Sequence, residues 1–163
     1  MPAEPLPSYQ CRVLPEWIDY NGHMNLAYYL VAFDKATDAL FERLGVGLDY
    51  VRATEHSLFA LEAHVTYARE LRVGDPISIV GRLVDADEKR LHFFHRMEHA
   101  DAGYLAATIE FMGVHVAMGA RRAVPFPQEA AARIEAMLAE HRRLPRPPQL
   151  GRSIGLRNKG VSA

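Results

Sequence analysis

The sequence predicts a single α+β domain in which a curved antiparallel sheet of about five strands wraps around one long helix. Three observations carry that prediction. Apolar side chains at Leu26, Tyr29, Leu30, Phe33, Thr37, Leu40 and Leu44 recur at three- and four-residue steps, the signature of a helix. The segments that follow are rich in β-formers and are punctuated by short turn-forming runs. Tyr28, Val31, Ala32, Ala36 and Ala39 make the helix apolar on further sides, so it needs cover, and a curved sheet offers it. At 163 residues and 49% hydrophobic composition, the chain can build one such core.

Each element follows in order. Residues 1–8, "MPAEPLPS", are Pro-rich and read as a loose lead-in. "YQCRVLPEW" reads as a short first strand, closed by Pro15. The helix begins after Asn25, a suitable N-cap, and ends at Gly45 and Gly47. Its length is roughly 28 Å at 1.5 Å per residue. "SLFALEAHVTYARE" reads as a strand, and residues 74–117 as three more, with turns at "DADEK" and "HADAG". "QEAAARIEAMLAEHRRL" is a second helix, exposed and mixed in charge. The domain is expected to span 9–144, with Pro145, Pro147 and Pro148 opening a basic tail over 145–163. Five strands leave open edges, so a homodimer or homotetramer is expected.

Composition narrows the function. The net charge is −1 with acids and bases interspersed, which excludes the basic footprint of a nucleic-acid binder. The longest apolar run, "LAYYLVAF", is far too short for a membrane span. A lone Cys11 and an N-terminus without a basic-then-apolar signal lead us to expect a cytoplasmic protein.

The stretch "PEWIDYNGHMNLAYYL" puts a carboxylate, an imidazole and two amides just before the apolar helix. The backbone N–H groups around Asn25, Leu26 and Ala27 lie at a helix start, where donors lack intrahelical partners. Such a start favours a developing oxyanion, and Asp19 could attack an acyl group or deprotonate water. Asn21 and His23 could position water or tune that carboxylate. In the competing reading, Asn25 caps the helix, Gly22 makes a turn and Asp19 neutralises the helix dipole.

Trp17, Tyr20, Tyr28 and Tyr29 form an aromatic set in which at least two members are expected to pack the core. Trp17 and Tyr20 flank Asp19 in a loop, where packing demands are weaker and aromatic faces could hold a cationic acyl group by cation–π attraction. Glu62 and Glu70 are acids on or near a strand, either inward-facing with a role or ordinary surface. His92, His95 and His99 suggest zinc, but His92 and His95 fall on opposite strand faces, and no cysteine joins them. No metal or other cofactor is therefore expected, and the histidines are read as solvated or partner-facing. Arg69, Arg72, Lys89, Arg90, Arg121 and Arg122 are either solvated surface or phosphate ligands.

The run "DYNGHMNLAYYLVAFDKATDALF", followed by "VTYARELRVGD" and a long meander, resembles the hotdog-fold acyl-CoA thioesterases of the 4-hydroxybenzoyl-CoA thioesterase type. The likeness runs from about Tyr9 to Pro127. It implies an acyl-CoA substrate, a dimer with sites at the subunit interface, a catalytic Asp19 and an oxyanion contact from the Leu26 backbone. Several relatives carry Tyr or His where this chain has Leu26, which leaves only the N–H to serve. Hotdog acyl-carrier-protein thioesterases have a similar D-x-N-x-H arrangement, matched by Asp19, Asn21 and His23, with a strand acid near Glu70. A narrower resemblance, to the betainyl-CoA branch of carnitine breakdown, rests on "PEWIDYNGHMNLAYYL", "ARRAVPFP" and "GRSIGL". It implies a trimethylammonium acyl group suited to the aromatic set around Asp19, with negative potential from Glu62, and the substrate contacts expected are Trp17, Tyr20, Asn25, Tyr28, Glu62 and Glu70. The alternatives are a non-catalytic acyl-CoA-binding module and an enoyl-CoA hydratase. The hydratase pair is usually five residues apart, whereas Asp19 and His23 are four apart.

Overall fold

The computed structural model describes residues 9–156. The expected lead-in over 1–8 and the end of the expected tail, 157–163, lie outside the described residues. The elements are β1 (Tyr9–Arg12), α1 (Leu26–Leu44), α2 (Leu48–Thr54), β2 (His56–Tyr67), β3 (Pro76–Ala86), β4 (Arg90–His99), β5 (Leu105–Ala117), β6 (Arg122–Ala123) and α3 (Gln128–His141). The strands form one antiparallel sheet in the order β1-β3-β4-β5-β2, and the short β6 adds to β5. This is the curved sheet around a central helix that the sequence predicts, with β1 and β2 at its edges.

The sequence explains the helix bounds. Asn25 caps α1 by accepting from the Ala27 N–H at 3.0 Å. Gly45 ends it in the left-handed region at φ 77°, where a Cβ is disfavoured. Tyr29, Ala32, Phe33, Ala36, Thr37, Leu40 and Leu44 are its buried face. Against them pack Ile77, Ile79, Leu83, Phe93, Met97 and Ile109 from the inner face of the sheet. Each large side chain so buried contributes roughly 1.5–3 kcal/mol relative to exposure.

Four expectations are corrected. Leu26, Leu30 and Val31 are exposed, so α1 is not covered on most sides within one protomer. His95 is not solvated: it is fully buried, and its Nε2 meets Thr37 Oγ1 on α1 at 3.0 Å. The core between α1 and the sheet, with Phe33 and Phe93 against that ring, leaves it no water. The second helix is not wholly exposed, since Ala130, Ile134, Leu138 and His141 bury one face of α3. The seven-residue α2 was not anticipated. Its Tyr50 hydroxyl donates to His115 Nε2 on β5 at 2.9 Å, while His115 Nδ1 donates to the Val124 carbonyl. No helix among the described residues is long and apolar enough to cross a membrane.

The first part of the tail lies on the outer face of the sheet. Arg82 donates to the Pro145 carbonyl at 2.7 Å, and the Gly151 N–H donates to Glu110 at 2.6 Å. Leu150 is buried there.

Candidate active site

The loop between β1 and α1 is built to present Asp19. Pro15–Trp17 form one turn of 3-10 helix, and Trp17 packs into the core. Ile18 and Met24 then pair as an isolated antiparallel bridge, and buried Met24 donates its N–H to the Leu71 carbonyl at 2.7 Å. Between these two fixed points the chain turns back at Gly22, whose φ of 79° suits glycine. Asp19 is the first residue of that turn, accepting from the Gly22 N–H through its carbonyl.

Its carboxylate is held from two sides. Oδ1 accepts from the Asn21 N–H at 2.8 Å, and Oδ2 accepts from Asn25 Nδ2 at 2.9 Å. The Asn21 N–H above all, with the Asn25 amide and the nearby His23, holds the Asp19 carboxyl below the usual carboxylate range, against the opposing effect of desolvation. Asp19 is therefore the anion at neutral pH.

The helix start offers one free donor. The Asn25 N–H donates to the Trp17 carbonyl, the Ala27 N–H to Asn25 Oδ1, and the Tyr28 N–H to the Asn25 carbonyl. The Leu26 N–H has no partner among the described residues. The three donors expected around Asn25, Leu26 and Ala27 thus reduce to one, because Asn25 satisfies its neighbours as a cap. Cap and carboxylate clamp are functions of the same side chain: Asn25 Oδ1 serves the helix and Nδ2 serves Asp19.

Asp19, Asn21, His23 and Leu26 line one cavity of about 290 Å³ with Met24, Tyr29, Tyr67, Ala68, Arg69 and Glu70. Glu70 follows β2 and lies 3.8 Å from His23 Nε2. Its carboxylate accepts from Arg72 at 2.9 Å, which lowers its pKa. Arg69 stacks over the Tyr104 ring at 4.1 Å. Burial pushes the Tyr29 phenol up to about 12, so it is neutral.

The remaining expected site residues lie elsewhere. Trp17 is only 9% exposed and stacks on Tyr28 at 5.8 Å. Packing demands on it are therefore strong, contrary to the expectation for a loop residue. Tyr20 is 96% exposed and does not line the cavity, nor does Tyr28. Glu62 faces a separate hollow of about 500 Å³ on the outer face of the sheet. That hollow is floored by His64, His92, Glu110 and Met112 and roofed by Gly151–Ile154. Glu110 there is already engaged, by His92 at 2.7 Å and by Gly151. Among the described residues no group of three or more His, Cys, Asp or Glu is placed to hold a metal ion. Sequence reasoning missed Tyr67. Its signal was proximity to Glu70 in "TYARE" and a strand position that ends beside the helix start.

Comparison with known proteins adds four findings. Residues 13–134 match the family model described as the thioesterase-like superfamily. The betainyl-CoA thioesterase of Pseudomonas aeruginosa is 41% identical over 94% of this chain and 97% of its own length. The L-carnitine dehydrogenase/betainyl-CoA thioesterase of Rhizobium meliloti is 37% identical over 93% of this chain, which spans only 30% of that longer protein. Among solved structures, a Staphylococcus aureus protein in complex with CoA superposes with a TM-score of 0.86. It is 31% identical, over 91% of this chain and 94% of that one.

Proposed function

The chain belongs to the thioesterase-like superfamily, and on that premise we propose that it hydrolyses the thioester of an acyl-CoA whose acyl group is betainyl. The observation that carries this reading is the shared cavity of an ionised Asp19 and the free Leu26 N–H at the start of α1. The near full-length likeness to the Pseudomonas aeruginosa enzyme supports the acyl group. The fused relatives, which join such a thioesterase to an L-carnitine dehydrogenase, support a role in carnitine catabolism.

The chemistry follows from the two groups. The thioester carbonyl oxygen accepts from the Leu26 N–H, and the helix dipole favours the charge that develops there. The Asp19 carboxylate either takes a proton from water, whose oxygen bonds to the carbonyl carbon, or bonds to that carbon itself. The tetrahedral intermediate then expels the CoA thiolate by breaking the C–S bond. In the second route water hydrolyses the resulting anhydride. Asn21 and Asn25 hold the carboxylate in place, and His23 with Glu70 forms the polar rim that orders water or substrate.

Two copies complete the unit in this reading. β2 is an unpaired sheet edge, and Phe59 and Leu61 on it are exposed. Leu26, Leu30 and Val31 on α1 are exposed as well. Pairing across that edge would cover both, giving a homodimer. A monomer in analytical ultracentrifugation would contradict it. The proposed compartment is the cytoplasm, in keeping with the single unpaired Cys11.

Free-thiol release tests the substrate. Betainyl-CoA should give a kcat/KM about tenfold or more above that of 3,3-dimethylbutanoyl-CoA, its uncharged isostere with carbon in place of nitrogen. Equal values would remove the cationic acyl group from the account. No thiol release from any acyl-CoA would remove hydrolysis, and would favour a binding module instead.

A further inference from the structure

The cavity that holds Asp19 contains two aromatic side chains, Tyr29 and Tyr67, of which only Tyr29 belongs to the aromatic set expected from the sequence. They meet edge to face, with ring centroids 5.2 Å apart and planes at 86°. Tyr29 is 4% exposed and so is committed to the core. Tyr67 is 49% exposed, and its hydroxyl donates to the Leu26 carbonyl at 3.1 Å. That bond fixes the ring at the first turn of α1, beside the proposed oxyanion donor.

The charges around the ring favour a cation. Asp19 and Glu70 share the cavity, and both carboxyls are held in the ionised form. His23 and Arg69 line the cavity as well, and the Arg69 guanidinium, which keeps its charge, is turned onto another ring, that of Tyr104. Arg72 donates to Glu70. Burial raises the Tyr67 phenol, so the ring stays neutral and keeps its negative π-face. An ammonium group in this space would meet an aromatic face and two carboxylates within one cavity.

We propose that Tyr67 is the specificity-determining residue for the cationic acyl group, with its ring as the surface on which a trimethylammonium head rests. The proposal deepens the reading above and rests on it. A small acyl group on a thioester held at the Leu26 N–H need extend only a short way to reach a ring bonded to the Leu26 carbonyl. The phenol hydroxyl is a tether for the ring and takes no part in recognising the cation.

The test compares kcat/KM for betainyl-CoA with that for 3,3-dimethylbutanoyl-CoA in the wild type and in Tyr67→Phe, Tyr67→Leu and Tyr67→Met. The two non-aromatic variants are alternatives, so a folding failure in one leaves the other. Either should lower the betainyl-to-neutral ratio by about fivefold or more, the size of a single cation–π contact. Tyr67→Phe keeps the ring and should keep the ratio within about twofold. A ratio unchanged in the folded non-aromatic variants would overturn the proposal, since a purely structural Tyr67 lowers both rates together. A ratio that collapses in Tyr67→Phe would overturn it too, by assigning selectivity to the hydroxyl. If the wild type itself does not prefer betainyl-CoA, the substrate reading fails along with the role of Tyr67. If the wild type prefers it and the variants do so equally, only Tyr67 is at fault.

Discussion

His95 and Asp19 show opposite ways in which a side chain is made to hold one protonation state. Asp19 keeps its charge because donors from Asn21 and Asn25 surround it. His95 loses its charge because burial between Phe33 and Phe93 leaves no solvent for the cation, and its pKa falls to about 3. Thr37 Oγ1 donates to the Phe33 carbonyl and so accepts from His95 Nε2, which leaves Nδ1 as a buried acceptor without a partner among the described residues. Between pH 6.5 and about 3 the unfolded chain binds a proton at this position and the folded chain does not. Stability from this source is therefore complete above the unfolded pKa and falls on acidification, by up to about 1.4 kcal/mol per pH unit. His95→Leu should flatten that dependence, because Thr37 keeps its bond to Phe33. Thermal melts between neutral and acidic pH would show it, and parallel wild-type and variant curves would count against it. The alternation along β4 separates His92 from His95 in the sequence. It does not say which face meets the helix, and so the inward histidine was read as a solvated one.

At the scale of elements, the helix was the most legible part of the chain. Its periodic apolar positions, the Asn25 cap and the Gly45 stop reproduce α1 at both ends. Leu26 and Leu30 share that period and are nevertheless exposed, because periodicity marks an apolar stripe without showing how far the sheet reaches beneath it. The short α2 escaped notice for a different reason. Seven residues carry less than two full turns of pattern, and its N-cap is Gly47, which has no side chain to signal the start. The site was legible where local sequence builds it, at Asp19, Asn21, His23 and Leu26. It was illegible where a distant strand closes it, at Tyr67. Asn25 joins the two levels, since one amide caps the helix and clamps the carboxylate. Asn25→Ala should cost about 1 kcal/mol of stability through the lost cap. It should also raise the pKa of Asp19, moving the acid limb of kcat/KM to higher pH. A destabilised variant with an unshifted pH profile would show that the clamp does not tune Asp19.

The whole molecule consists of a sheet with two different faces. The inner face grips α1, and the outer face is partly roofed by the chain beyond α3, through Arg82, Glu110 and Leu150. The expected boundary at residue 144 therefore divides segments that are in contact, and we propose that residues 145–151 belong to the folded unit. Prolines marked a basic tail without fixing its order, and the hydrogen bonds that hold its first part come from β3 and β5, far away in sequence. The free β2 edge and the exposed start of α1 are the surfaces that the proposed dimer would cover, and in that proposal activity is a property of the pair. The proposed reaction turns on Asp19. The most direct measurement is thiol release from betainyl-CoA by wild type and Asp19→Asn, with oligomeric state and melting temperature recorded for both. The account predicts a loss of about 10²-fold or more in kcat with fold and assembly intact. Turnover by Asp19→Asn at the wild-type rate would contradict it.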